Sequence, residues 1–243
     1  TVHIPGVLAA MRAGVQTYTA PIVACMDDDA CAHPDWSRRV LGHFTDPSIG
    51  VVGGRDIVTH DQRSDKPMVG VLSWFGRIVG NHHRGYGEPR DVDFLKGVNV
   101  AFRAEHLWLP VPGLFRGRGA EVHWELLVCR AAQRRGVRLR YDPLLCVDHR
   151  AAPRHDEDQR VRPQKVATTN AAHNRVVSTA ALDPGRRPQL LYLILVGDRD
   201  CPGVARALTA LLRRERSVLR RVLPSVRGMM AGLGTLVRIR RDD

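Results

Sequence analysis

Three consecutive carboxylates, Asp27, Asp28 and Asp29, stand directly behind the apolar run "PIVACM" at residues 21–26. Like charges this close raise one another's pKa and oppose folding unless a cation sits among them. In an extended segment alternate side chains share a face, so Asp27 and Asp29 can act together while Asp28 points elsewhere. A D-x-D pair offers the hard oxygen donors that suit Mg²⁺ or Mn²⁺, and a cation held there would neutralise a substrate diphosphate. A solvated acidic turn is the competing reading, and spacing alone does not choose between the two.

The elements that must position these acids are legible in the hydrophobic pattern. Residues 5–17 carry helical spacing at Val7, Leu8, Met11 and Val15, with Pro5 near the first turn. "APIVACMDDD" reads as a buried strand, which sets the acids at a strand's C-terminal end, the edge where open α/β sheets bind ligands. "HPDWSRRVLGHFTD" resumes helical spacing and "IGVVGGRDIV" reads as a strand, so one βαβ-like unit is visible. Residues 59–91 read as a loop around a short apolar helix, "MVGVLSWFGRIV". "VDFLKGVNVAFR" is a strand entering a turn, "HWELLVCRAAQRRG" a helix closed by Gly136, and "VRLRYDPLLCVDH" alternates as an edge strand does.

Bulk composition narrows the classes. The 243 residues are 44% apolar, enough for a core, and the formal charge of +12 points to an anionic partner. Five cysteines without a C-x-x-C pair argue against a disulfide framework or a zinc ribbon and favour a reducing, cytoplasmic setting. From Gly203 onward ten arginines face three acids, and apolar residues recur every three or four positions. That pattern predicts a basic amphipathic helix or helix pair interrupted near Pro224, either capping the domain or docking on an anionic membrane surface. No run reaches the roughly 18 apolar residues that a spanning helix needs.

Six blocks occur in a characteristic order: "PGVLAAMRAGV", "IVACMDDDACAHPDW", "DPSIGVVGGRDIV", "FLKGVNVAFRAEHL", "GAEVHWELLVCRAAQRRG" and "RLRYDPLLCVDH". In order and approximate spacing the chain resembles the family 2 glycosyltransferases over roughly residues 5–150. The resemblance implies an α/β, GT-A-like fold, a mixed, mostly parallel sheet with flanking helices, over residues 1–165, and a basic helical region over 166–243. It implies that Asp27 and Asp29 bind a divalent metal and the donor's diphosphate, with Asp28 near the ribose or sugar. Gly97, Asn99 and Arg103 would flank the donor sugar, and His149 would stand close to the metal. Counting back from Gly136 sets the catalytic base at Glu125, with Trp124 where the family has its acid partner and Glu121 as the reserve candidate. Met11 stands where the family usually has an Arg that approaches the nucleotide. The family's first strand is expected to precede Thr1, so the intact protein is expected to be longer.

The implied activity is transfer of a sugar from a nucleoside-diphosphate sugar to an acceptor hydroxyl, metal-dependent and inverting, in cell-envelope or polysaccharide synthesis. The acceptor would be a glycan or a lipid-linked one, and the enzyme cytoplasmic or peripheral at the inner face of the plasma membrane. Two other classes compete. A nucleic-acid-binding protein would account for the charge, but aromatics are only 5% and the tail after Tyr192 has none to stack on bases, so no nucleic-acid partner is expected. A nucleotidyl- or phosphotransferase would need a Gly-rich phosphate loop that is not visible. A zinc site built from "NHH" at 81–83 with His123 or His149 lacks the usual ligand spacing.

Overall fold

A computed structural model of the chain describes residues 5–58, 64–150, 152, 164–183, 185–198 and 200–242. In chain order the first elements are α1 (Val7–Val15), β1 (Ile22–Met26), β2 (Ala30–Ala32), α2 (Trp36–His43), β3 (Ile49–Val58), β4 (Val71–Leu72), β5 (Ile78–Val79) and β6 (Arg90–Asp91). They are followed by β7 (Asn99–Arg103), α3 (Trp124–Arg134), β8 (Arg138–His149), α4 (Lys165–Ala180), α5 (Arg187–Leu195), α6 (Val204–Leu212) and α7 (Arg216–Asp242).

The main sheet has the order β1-β7-β3-β8-β2, with β6 also paired to β8. Strands β1, β3 and β8 point one way, while β7, β2 and β6 point the other. The two long strands, β3 and β8, pair in parallel at the centre, giving the mixed α/β sheet with flanking helices that the sequence implies. Side chains alternate across it as the pleat requires. Val51, Val100 and Phe102 face a core shared with Leu8 of α1 and with Trp124, Leu127 and Val128 of α3. Val52, Ala101 and Leu145 face the other way, onto Val40 and Phe44 at α2.

Asn99 ties these layers together. Its side chain is buried, accepts the Trp36 indole N–H at 2.8 Å, and donates to the carbonyls of Leu145 at 2.8 Å and Arg55 at 3.3 Å. One carboxamide therefore joins α2, β3, β7 and β8. Arg103, four residues on, lies at the opposite end of β7, where it pairs with Ile22 while Asn99 pairs with Met26. Its guanidinium donates to the carbonyls of Ile49, Phe44 and Asp46 and lies over the Phe44 ring.

Three elements differ from the sequence expectation. Within residues 68–79 the chain forms the hairpin β4–β5 rather than a helix, because Gly76 (φ 95°) takes left-handed backbone and its N–H closes the turn on the Ser73 carbonyl. Residues 59–63 of the expected loop lie outside the described residues. Strand β8 is central, not an edge strand. Pro143 falls in an irregular stretch where Gly54 pairs with Asp142 but Arg55 pairs with Cys146, so its missing N–H breaks no ladder bond. In the basic tail the break comes at residues 213–215, where Arg214 is left-handed (φ 55°), and Pro224 lies inside α7.

The helical region packs α4 along α7, at a contact that only glycine permits: a β-carbon on Gly228 would lie 2.1 Å from the Thr169 carbonyl oxygen. Asn174 of α4 exchanges two 2.8 Å hydrogen bonds with the backbone of Arg116, and Ser178 donates to the His123 carbonyl, so α4 braces the approach to α3. Replacing Asn99 by Ala leaves the Leu145 carbonyl and the Trp36 N–H without a partner, and an unpaired buried group costs about 1–3 kcal/mol. Urea unfolding of Asn99→Ala is therefore expected to show a loss of ~2–4 kcal/mol; a loss below ~0.5 kcal/mol would contradict this role.

Candidate active site

Strand β1 delivers Asp27 one residue past its end, and the chain turns back through β2, whose Ala30 pairs with His149 at the end of β8. The turn is closed by the Ala30 N–H on the Asp27 carbonyl. Asp27, Asp29 and His149 each place a ligand-type atom within 4.8 Å of the others. Asp28 is exposed and outside this group. One oxygen of Asp29 accepts the Ala152 N–H at 2.8 Å, while the other, Oδ1, lies 3.3 Å from His149 Nε2.

Behind this group lies a third carboxylate that the sequence did not single out. Asp56 of β3 is fully buried, 3.8 Å from His149 Nδ1, and it receives the Lys96 ammonium. Burial alone would raise its pKa, but His149 and Lys96 outweigh burial and hold it below the usual carboxylate value. The Arg55-Asp56 pair inside the otherwise apolar "IGVVGGRDIV" and a Lys directly before Gly97 were the available signals.

The cluster has the character of a cation site. Asp29 Oδ1 and His149 Nε2, 3.3 Å apart, are both buried without a hydrogen-bond partner among the described residues, while His149 Nδ1 faces Asp56. Buried polar atoms are normally satisfied, so a convergent set of orphans calls for a further group. Two carboxylates and an imidazole form a donor set that fits a divalent cation, and Asp56 would orient the imidazole from behind.

Asp27 and His149 line one side of a cavity of about 630 Å³, within the range of small-molecule sites. Glu125, Lys96, Gly97 and Met11 line it as well. Glu125 sits in the first turn of α3. Burial raises its pKa, with Asp27 adding to the rise, while backbone hydrogen bonds at its own position and at Gly97, together with Lys96, act in the opposite direction. Its position is set by Trp124, whose buried ring covers Gly97 so closely that a β-carbon there would come within 2.5 Å. Two residues before α3, Glu121 (φ 41°) and His123 (φ 74°), hold left-handed backbone that side chains rarely adopt.

Several expected residues have other occupations. Glu121 accepts the Leu8 N–H at 2.9 Å and so caps α1, with burial raising its pKa. Asn99 is spent on the layer contacts above, and Arg103 lies at the far end of β7, so neither is brought to the cavity. His82 is buried with its Nε2 on the Phe94 carbonyl and its pKa pushed down to about 4 by burial, and burial takes His123 to about 3. Among the described residues Asp27, Asp29 and His149 are the only group gathered for a metal, so the histidines at 82 and 83 build no zinc site with His123 or His149.

Residues 4–108 match the family described as glycosyl transferase family 2. A glucosyl-dolichyl phosphate glucuronosyltransferase of Haloferax volcanii is 29% identical over 153 residues, which is 60% of this chain and 48% of that protein. A pre-mycofactocin glycosyltransferase of Mycobacterium tuberculosis is 24% identical over 152 residues, 60% of this chain and 30% of that one. The chain thus spans about half, or less, of the curated relatives it matches. The crystal structure of GalNAc-T7 with UDP, GalNAc and Mn²⁺ superposes with a TM-score of 0.51 at 16% identity, over 78% of this chain and 36% of that chain, and shares the fold.

The raised pKa of Glu125 has a thermodynamic signature. Because its carboxyl titrates above the ordinary value of 4.5 in the fold, it favours folding at low pH and loses that contribution as pH rises through the raised pKa. Thermal unfolding of Glu125→Gln and the parent across this window is expected to show the Gln variant gaining in relative stability as pH rises. A flat or reversed difference would refute the assignment.

Proposed function

We propose that this chain is a family 2 glycosyltransferase, the family whose pattern residues 4–108 match, and that it transfers a sugar from a nucleoside-diphosphate sugar to an acceptor hydroxyl. The observation that carries the reading is the group Asp27, Asp29 and His149, two of whose members, Asp27 and His149, line the same cavity as Glu125. Asp27, Asp29 and His149 hold a divalent cation, Mn²⁺ or Mg²⁺. When bound, that cation supplies neutralisation of the departing diphosphate.

Glu125 is the base. Its partly buried carboxyl takes the proton from the acceptor hydroxyl as that oxygen attacks the anomeric carbon, and the raised pKa brings it nearer to working pH than an exposed Glu. Trp124 packed on Gly97 fixes where α3 begins and so aims Glu125 across the cavity. Lys96 keeps Asp56 charged, and Asp56 in turn orients the imidazole of His149. A single base on the acceptor side implies one in-line displacement, so the product has the anomeric configuration opposite to the donor's. The acceptor is a glycan or a lipid-linked sugar, a class in keeping with the name of the Haloferax volcanii relative, and the setting is the cytoplasmic face of the cell envelope.

Glu125→Gln should cut turnover by about 10²- to 10⁴-fold, the usual worth of a general base, with donor affinity unchanged by calorimetry. The acid limb of the parent's pH–rate profile should lie above the ordinary Glu value and disappear in the variant. Retention of parental turnover would end the assignment. Asp29→Asn should abolish measurable Mn²⁺ uptake in calorimetric titrations, and Asp56→Asn should weaken it by about 10–100-fold, as loss of an outer hydrogen-bonding partner does.

A further inference from the structure

Helix α6 is mounted with its polarity reversed. Val204, Leu208 and Leu211 fall on one stripe by helical spacing, with Leu212 beside it, which is the pattern of a helix that buries this face. Instead the stripe faces outward: Leu208 is 65%, Leu211 63% and Leu212 84% exposed, and Val204 is exposed as well. The opposite side, against the protein, holds Ala210, only 1% exposed, and the half-buried Arg206. The apolar surface extends beyond α6. Gly203 donates to the Val196 carbonyl at 3.0 Å, which sets the start of α6 against the end of α5, where Leu191, Leu195 and Val196 are also exposed.

Exposing seven large apolar residues on two adjoining helices is costly in water, since each buried aliphatic side chain is worth about 1.5–3 kcal/mol. The residues that follow identify what covers them. Arg213, Arg214, Arg216 and Arg220 are exposed and make no ion pair with any described residue. Across a two-fold contact with a second copy these arginines would face one another, which opposes association. An anionic bilayer surface meets both needs: acyl chains accept the leucines and headgroup phosphates accept the guanidinium groups. No helix among the described residues is long and apolar enough to cross a membrane, so the helix lies in the plane of the interface.

We propose that α6, continued by the end of α5, is an in-plane anchor that inserts Leu208, Leu211 and Leu212 into an anionic lipid surface. The inference deepens the lipid-linked setting proposed above, but it stands on α6 alone. The full chain should float with vesicles of phosphatidylglycerol and phosphatidylcholine and remain behind with phosphatidylcholine alone. Leu208→Ser/Leu211→Ser/Leu212→Ser, at positions that contribute little to the core, should lower partitioning by at least ~10-fold while circular dichroism stays unchanged. Arg213→Gln/Arg214→Gln should remove the preference for phosphatidylglycerol. As a second readout, Leu212→Trp should give blue-shifted fluorescence, relative to the parent, that brominated acyl chains quench. Equal flotation of the triple-Ser variant, or no spectral change at Leu212→Trp, overturns the proposal. So does a parental dimer in sedimentation that the triple-Ser variant dissolves, since the occupant is then a second copy. Neither readout requires donor, metal or turnover, so failure of the anchor and failure of the sugar-transfer reading are separately visible.

Discussion

A single buried carboxamide sets the positions on which the rest of the molecule relies. Asn99 sits opposite Met26, the residue before Asp27; it holds the Leu145 carbonyl, four residues before His149; and it holds the Arg55 carbonyl, the residue before Asp56. Gly97 and Lys96 lie two and three residues upstream of it. Every segment that enters the cleft from the sheet is therefore referred to one side chain, and a carboxamide suits the task because it both donates and accepts in a fixed plane. The neighbouring charges could not do this, since their own repulsion would spread them.

The electrostatics are layered around that anchor. At the front stand Asp27 and Asp29, with Asp27 on the cavity; behind them lies the ring of His149; behind that, Asp56 is balanced by Lys96. The Lys96–Asp56 pair offsets part of the negative charge that these groups crowd into a small volume. Much of the chain's large positive charge is spent elsewhere and structurally: Arg12, Arg84, Arg90, Arg103 and Arg175 each donate to backbone carbonyls.

How much was legible depended on whether function lay in residue type or in chain direction. Asp27, Asp29, His149 and Glu125, counted back from Gly136, could be singled out because their types are uncommon where they stand and the order of the blocks that carry them resembles a family's; the fold gathers Asp27, Asp29 and His149 into one group and leaves Asp28 outside it. Asn99 and Arg103 look alike as polar residues in an apolar block, yet a five-residue strand carries them to opposite ends of the sheet. Only pairing geometry separates them. The β4–β5 hairpin was hidden because "MVGVLSWFGRIV" has no strict alternation, and only the left-handed backbone at Gly76 reveals the turn. Pro143 made a central strand resemble an edge, since a sequence does not announce the irregularity that excuses a proline.

The left-handed backbone at Glu121 and His123 lies beside the helix that carries Glu125. Conformations of this kind are held by their surroundings, here by the Glu121 cap on α1 and by Ser178 on the His123 carbonyl. Two helices remote in sequence thus act as a clamp on one short connection. Glycine at His123 would relieve the torsion there, whereas glycine at Glu121 would relieve it only by removing the carboxylate that caps α1, so the strain at Glu121 is tied to the clamp itself.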